Sequence, residues 1–137
     1  MNQISEIKGK SLLREKNLEV TYDPDTNILF CRWIGFQNKE KIMTSGKKIL
    51  ELFKQQKNCA KILNDNREVT GPWQDAAEWT AKEWFPQMEK AGLKHFAWIF
   101  SDNIFAELSA KSAQPSSDIV TTFKSFNEAV EWLNSKP

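Results

Sequence analysis

Phe96-Ala97-Trp98-Ile99-Phe100 is the stretch on which the fold turns. Its continuous apolar character leaves no wet face, which is typical of a strand buried on both sides within a parallel sheet. Upstream, Ala60 to Leu63 is a second, shorter apolar strand, and it ends in the polar burst Asn64-Asp65-Asn66-Arg67. A loop through Thr70-Gly71-Pro72 leads into a helix whose inner stripe is Trp73, Ala77, Thr80, Ala81, Trp84 and Met88. Its start reads two ways, as Thr70 with Pro72 in the first turn or as an Asp75/Glu78 capping box. Pro86 kinks or divides it, and Gly92 stops it.

Downstream, Ser101 or Asp102 caps a short helix that carries Ile104, Phe105 and Leu108. A loop with Pro115 leads to a last strand, Ile119 to Phe123. Ser125-Phe126-Asn127-Glu128 then opens a final helix with Phe126, Ala129, Val130 and Leu133 inward.

The N-terminal half reads as a hairpin and a helix. Leu18, Val20 and Tyr22 alternate with polar residues, Asp23-Pro24-Asp25-Thr26-Asn27 has turn chemistry, and Ile28 to Phe36 is apolar except at Arg32. Lys39 to Gln56 places Ile42, Met43, Ile49, Leu50 and Phe53 on one face. Gly46 shares that stripe and suggests a close approach of helix to sheet.

The expected fold is therefore α/β: a single mixed five-stranded sheet, N-terminal antiparallel hairpin first and parallel strands after it, with four helices. One domain is expected over residues 1–137, with 1–17 as an N-terminal extension in which Ile4 to Leu13 is open to reading as an extra strand.

Composition narrows the function classes. The 137 residues carry a formal net charge of +1, with both signs interspersed. No basic face is offered to nucleic acid or to anionic membranes, and no apolar run reaches the length of a membrane span. Met1 to Lys10 lacks the apolar core of a signal peptide, and Cys31 and Cys59 lie in apolar runs as reduced thiols do, so a cytoplasmic location is expected.

No catalytic constellation emerges. The single histidine, His95, opens its strand at the N-terminal edge, whereas Asp65 and Asp102 follow theirs at the C-terminal edge. Strands of five residues separate those edges by roughly 17 Å, too far for a His/Asp dyad. Cys59 precedes its strand and could approach His95, away from the edge where parallel sheets usually build sites. No zinc set, calcium loop or glycine-rich phosphate loop is present. No enzyme activity and no cofactor are expected.

The six tryptophans are the anomaly. Trp33, Trp73, Trp84 and Trp98 fall on core faces. Trp79 lies about 120° from the Trp73/Trp84 direction, and Trp132 is displaced in the same way from Phe126 and Leu133. Such residues either pack at the margin of a helix–sheet interface or form a partner surface.

Several segments together resemble SpoIIAA-like proteins of the STAS/SEC14 superfamily, in a subgroup typical of Bacteroidetes. They are Val20-Thr21-Tyr22-Asp23 with Ile28-Leu29-Phe30 and Trp33-Ile34-Gly35; Ile62-Leu63-Asn64-Asp65-Asn66 followed by Gly71-Pro72-Trp73 and Asp75-Ala76-Ala77-Glu78-Trp79; Ala91-Gly92-Leu93-Lys94 before Phe96-Ala97-Trp98; and Phe123-Lys124-Ser125 leading to Ala129-Val130-Glu131-Trp132-Leu133. The resemblance spans about residues 18–133. It implies a non-catalytic module that regulates by binding protein, or alternatively a SEC14-like carrier of a lipid or apolar small molecule. The phosphorylated-serine motif of anti-sigma-factor antagonists is absent, since Thr70 is the sole hydroxyl in Asn64–Thr70. The expected partner is an unidentified protein, with a homodimer as one form and Trp79 as its surface.

Where a sheet of this kind has a functional edge, it is the C-terminal one. That expectation groups Asp65, Asn66, Arg67, Trp73, Ser101 and Asp102, with Arg67 placed to take an anionic group. The competing reading is structural: Asp65 pairs with Arg67, and Ser101 or Asp102 only caps a helix.

Overall fold

A computed structural model describes residues 9–137. The hairpin forms where turn chemistry places it. The Asp23 carboxylate accepts from the Asp25 amide at 3.0 Å, Asn27 takes the left-handed conformation at φ 60°, and the Tyr22 hydroxyl donates to Asn27 Oδ1 at 2.6 Å. Strands β2 (Leu18–Asp23) and β3 (Ile28–Phe36) flank this turn. They are followed by β4 (Lys61–Thr70), β5 (His95–Ile99) and β6 (Val120–Phe123), and preceded by β1 (Lys10–Arg14).

The sheet has six strands in the order β1-β2-β3-β4-β5-β6, not five. The two pairings among β1, β2 and β3 are antiparallel, and the three from β3 to β6 are parallel. The added strand is the C-terminal part of the segment left open at Ile4 to Leu13. Its adjacent Leu12 and Leu13 and the irregularity between Ser11 and Leu13 break the alternation that would have marked it. Residues 4–8 of that segment lie outside the described residues.

Four helical stretches cover the sheet. Helix α1 (Lys39–Gln55) is capped by Asn38, whose side chain accepts from the Lys41 amide at 2.8 Å. Stretch α2 is a 3₁₀ turn at Gln74–Ala76, an α turn at Ala77–Trp79, a π segment at Thr80–Trp84 and an α-helical end at Phe85–Lys90. Neither expected N-cap forms there: Trp73 occupies the cap position without a side-chain hydrogen bond. Pro86 does not sever the stretch. Its ring crowds the carbonyl four residues back, and the π widening just before it, closed by Phe85 N–H to Thr80 O, makes room.

Helices α3 (Ile104–Ser112) and α4 (Phe126–Asn134) complete the set. The cap of α3 is Asn103, not Ser101 or Asp102; its side chain accepts from the Phe105 and Ala106 amides. Ser125 caps α4 as expected.

Because each parallel crossover steps to the next strand in one direction, right-handed connections deliver α1, α2 and α3 to the same face. Leu29, Cys31, Trp33, Ile62, Phe96 and Trp98 pack there against Ile49, Phe53, Trp84, Phe85 and Met88. Helix α4 follows β6 and folds over the opposite face, where Phe126, Ala129 and Leu133 meet Ile28, Phe30, Leu63, Ala97 and Ile99. The central strands are therefore buried on both sides, which accounts for the unbroken apolar run of β5.

One expectation needs correction. The polar burst Asn64-Asp65-Asn66-Arg67 does not leave the sheet: β4 continues to Thr70, paired with β3 beyond the end of β5. Helix α3 turns small residues inward, Ala106, Ser109 and Ala110, while Ile104, Phe105 and Leu108 are exposed. The alanine face lets α3 lie close to α2, a separation that larger side chains would prevent.

Candidate functional site

A recess opens between α1, α2 and the sheet, lined by the indoles of Trp33, Trp73, Trp79, Trp84 and Trp98. Gln37, Ile42, Gly46, Asn64, Asn66, Val69, Thr80 and Phe96 complete its wall, so no charged side chain faces it. Its cavity volume is about 40 Å³, and about 440 Å³ of free space is present when the open mouth is counted. One water needs about 10–15 Å³ of such volume and a benzene-binding cavity about 150 Å³, so the interior suits roughly three waters. Drug-sized sites begin at about 300 Å³, and the interior is smaller than these.

Gly46 sets the width of the recess. A Cβ there would lie 3.0 Å from Trp79 and 3.2 Å from Trp84, and the Trp84 Nε1–H donates to Gly46 O at 2.8 Å. The close approach inferred from this glycine is thus to two tryptophans of α2, not to the sheet. Trp79 is half-buried and spans the α1–α2 seam. The π segment contributes too, since its extra residue turns Trp84 and Phe85 inward together.

Two amides of β4 stand on the sheet side, although the surface open to the recess is almost wholly apolar. A bulge between Arg32 and Ile34 of β3 sets three steps of β4, Asp65 to Glu68, against two of β3. Asn64, Asn66 and Val69 consequently share the recess face, while Asp65 and Arg67 point to the α4 face. Trp33 Nε1–H donates to Asn64 Oδ1 at 2.9 Å, and Asn64 Nδ2 donates to Asn66 Oδ1 at 3.0 Å. The direction of this relay is dictated by chemistry, because an indole can only donate. Each amide must then turn its oxygen upstream, and the relay ends on the Asn66 Nδ2 donor, for which no acceptor occurs among the described residues.

Among the described residues, one indole donor is both buried and unpaired. Trp98 is 2 % exposed, and its Nε1–H has no acceptor among the described residues. Leaving such a group unpaired costs about 1–3 kcal/mol. Trp98 is otherwise held by rings, stacked on Trp73 at 6.4 Å and edge-on to Phe96 at 5.4 Å and Phe100 at 5.6 Å.

The residues singled out from the sequence separate into three places. Asn66 and Trp73 line the recess, as does Trp79, which had been read as an interaction surface. Asp65 and Arg67 lie on the opposite face and pair with each other, Arg67 Nη2 to Asp65 Oδ2 at 2.7 Å and Arg67 Nε to Asp65 Oδ1 at 3.0 Å. The Arg67 guanidinium also stacks over Phe126 at 5.4 Å. Ser101 is buried and donates to Val69 O at 2.7 Å, and Asp102 is exposed. The strand order never reverses, so the sheet offers no switch-point crevice at its C-terminal edge. Trp33, Asn64, Trp84 and Trp98 line the recess without having been grouped with the candidates. The one signal for Asn64 and Asn66 was their two-residue spacing within a polar run.

The nucleophile candidates are chemically quiet. Burial pushes the Cys59 thiol up to about 11 and raises Cys31 further still. Cys59 Sγ donates to Lys61 O at 3.3 Å and Asn27 O at 3.5 Å. His95 lies at the opposite sheet edge from Asp65, edge-on to Trp132 at 5.8 Å. Among the described residues no three His, Cys, Asp or Glu side chains cluster as a metal would require, and no helix is long and apolar enough to cross a membrane. No family model and no curated protein matches the chain.

Proposed function

We propose that this domain is a non-catalytic module that binds a small molecule in the tryptophan-lined recess. The observation that carries this is the convergence of five of the six tryptophans on one uncharged recess. Aromatic walls with a few fixed polar groups are the general chemistry of small-molecule sites. The sequence resemblance to SpoIIAA-like STAS/SEC14 domains agrees with a binding role, and the interior is too small for a lipid tail. Non-catalysis rests on the wall itself, which carries no titratable side chain, and on thiols held protonated by burial.

The test is a titration of tryptophan fluorescence with ring-sized probes, benzene and pyridine, on wild type and Gly46→Ala. A saturable change in wild type is expected, weakened several-fold once a methyl group crowds Trp79 and Trp84. No saturable change with either probe would remove the proposed binding site.

A second role, protein interaction, is favoured by a different observation. Ile104, Phe105 and Leu108 are each more than half exposed on α3, so the apolar surface sits there and not at Trp79. Light scattering on wild type and on an Ile104→Glu/Leu108→Glu variant reads self-association directly. Monomers in both would exclude the homodimer form.

A further inference from the structure

We infer that β6 is a self-pairing edge: two copies of this chain join β6 to β6, antiparallel about a twofold axis between the two Thr121 residues, into one continuous sheet. This surface is separate from the recess and from the exposed face of α3. The two ends of the sheet are guarded differently. β1 closes one edge and β6 the other. An outer strand leaves a row of backbone N–H and C=O groups without a partner in the sheet, and charges or bulges usually blunt it. β1 has both devices: Lys10 and Arg14 at its ends, and an irregularity between Ser11 and Leu13. Laid antiparallel on a second copy about its centre, β1 would set Lys10 against Arg14, a like-charge pair. β6 has neither device. Val120-Thr121-Thr122-Phe123 is uncharged and rich in β-branched and aromatic residues, and its register with β5 runs without a shift from Phe96↔Val120 to Ile99↔Phe123.

The ladder to β5 decides which groups face outward. Phe96 N–H donates to Ile119 O at 3.0 Å and Phe100 N–H to Phe123 O at 3.4 Å, so the odd-numbered residues turn their backbone groups to β5. Val120 and Thr122 therefore present theirs at the open edge. An antiparallel partner must match outward residues with outward residues. Pairing Val120 with Thr122 of the second copy uses both outward residues of each strand and sets Thr121 against Thr121. Val120 then meets Thr122 on one face and Thr121 meets Thr121 on the other, β-branched pairs that stabilise adjacent strands.

The same register carries Asp118 opposite Lys124 of the second copy, and Lys124 opposite its Asp118. Both side chains are exposed, as is Thr122, and neither charge has an ion-pair partner among the described residues. The neighbouring registers separate these charges, since they set Asp118 against Thr122 or Lys124 against Val120. Backbone phase and charge thus select one alignment, and the partner they fit is a second copy of this chain.

Charge exchange tests that alignment. Sedimentation equilibrium of the full chain at low salt, over a concentration series up to the millimolar range, should show a wild-type dimer. Asp118→Lys or Lys124→Glu alone turns both end contacts into repulsions and should weaken the dimer by about tenfold or more. A mixture of the two variants restores attraction at both ends, so a heterodimer should form with close to wild-type affinity while each variant alone stays weak. Both positions are exposed, so the urea midpoints of the variants should match wild type, which separates lost pairing from lost folding. Thr122→Pro removes an outward N–H and leaves the ladder to β5 intact, and it should weaken the dimer as well. A wild type that stays monomeric throughout the series would overturn the inference. So would a dimer unchanged in both charge variants, and its loss in Ile104→Glu/Leu108→Glu would then move the contact to α3. Charge variants that weaken the dimer but fail to recover on mixing would overturn the Asp118–Lys124 alignment. None of these outcomes bears on small-molecule binding in the recess.

Discussion

Alternate residues of β4 meet opposite fates on the two faces of the sheet. On the α4 face, Asp65 and Arg67 close on each other in a two-point contact, and Asp65 Oδ1 also accepts the Arg67 backbone amide at 3.0 Å, which stitches the bulge. On the recess face, Asn64 and Asn66 form a relay that begins at Trp33 and ends on an open donor. The polar groups of one face are completed within the chain, and those of the other are not. A charged pair that is partly buried has to be neutralised internally, because an unmatched charge there is very costly. A neutral amide carries a smaller penalty and can wait for an outside partner. Departures from full satisfaction are expected where function requires them, so the unfinished face is the better candidate for function.

The largest expected effect tests the wall they share. Trp98→Ala removes an indole in contact with Trp73, Phe85, Phe96 and Phe100 and should destabilise by about 3–5 kcal/mol in urea unfolding. A loss below about 1 kcal/mol would show the ring to be loosely held. The two faces should then part. Asp65→Ala takes the carboxylate from Arg67 and from the bulge amide and should cost about 2–3 kcal/mol. Asn66→Leu removes one neutral bond, to Asn64 Nδ2, and should cost about 1 kcal/mol. Equal losses for the two would erase the distinction between a finished and an unfinished face.

Much of this fold was legible because its signals are local. The hairpin turn, the unbroken apolar run of β5 and the Ser125 cap each depend on a few neighbouring residues. The C-terminal half of β4 was not legible, because a run of polar residues says strand only when each has a tertiary partner. Asn64 needs the Trp33 indole, and Arg67 needs Phe126 from a helix about sixty residues on. The packing face of helix α3 was not legible for a related reason. Ile104, Phe105 and Leu108 have helical spacing, but the tight seam with α2 selects Ala106 and Ala110. Of the candidate site, all six residues were assigned to one sheet edge, because the bulge and the faces they turn to are invisible without β3; Asn66 and Trp73 turn to the recess, and Asp65 and Arg67 do not.

The smallest effect is a pH response confined to the α4 face. No titratable side chain lines the recess, whereas His95 packs edge-on to Trp132 of α4 at the N-terminal sheet edge. Its pKa is lowered from 6.5 by desolvation first, and then by the positive charges of Lys136, Lys61 and Lys94. Lys61 Nζ in turn donates to Lys136 O at 2.8 Å, which ties β4 to the end of α4. Lowering the folded-state pKa of a histidine means that the unfolded chain binds the proton more readily. Stability from this group is therefore fully present above pH 6.5 and is lost as pH falls from there through the depressed folded value. The urea midpoint of wild type should drop between pH 7.5 and 5.5 by more than that of His95→Gln. Over the same range the recess should keep its affinity for benzene, since nothing on its wall changes charge. An identical pH response in wild type and His95→Gln would mean that His95 is solvated as fully in the folded chain as in the unfolded one, and that α4 does not press on it.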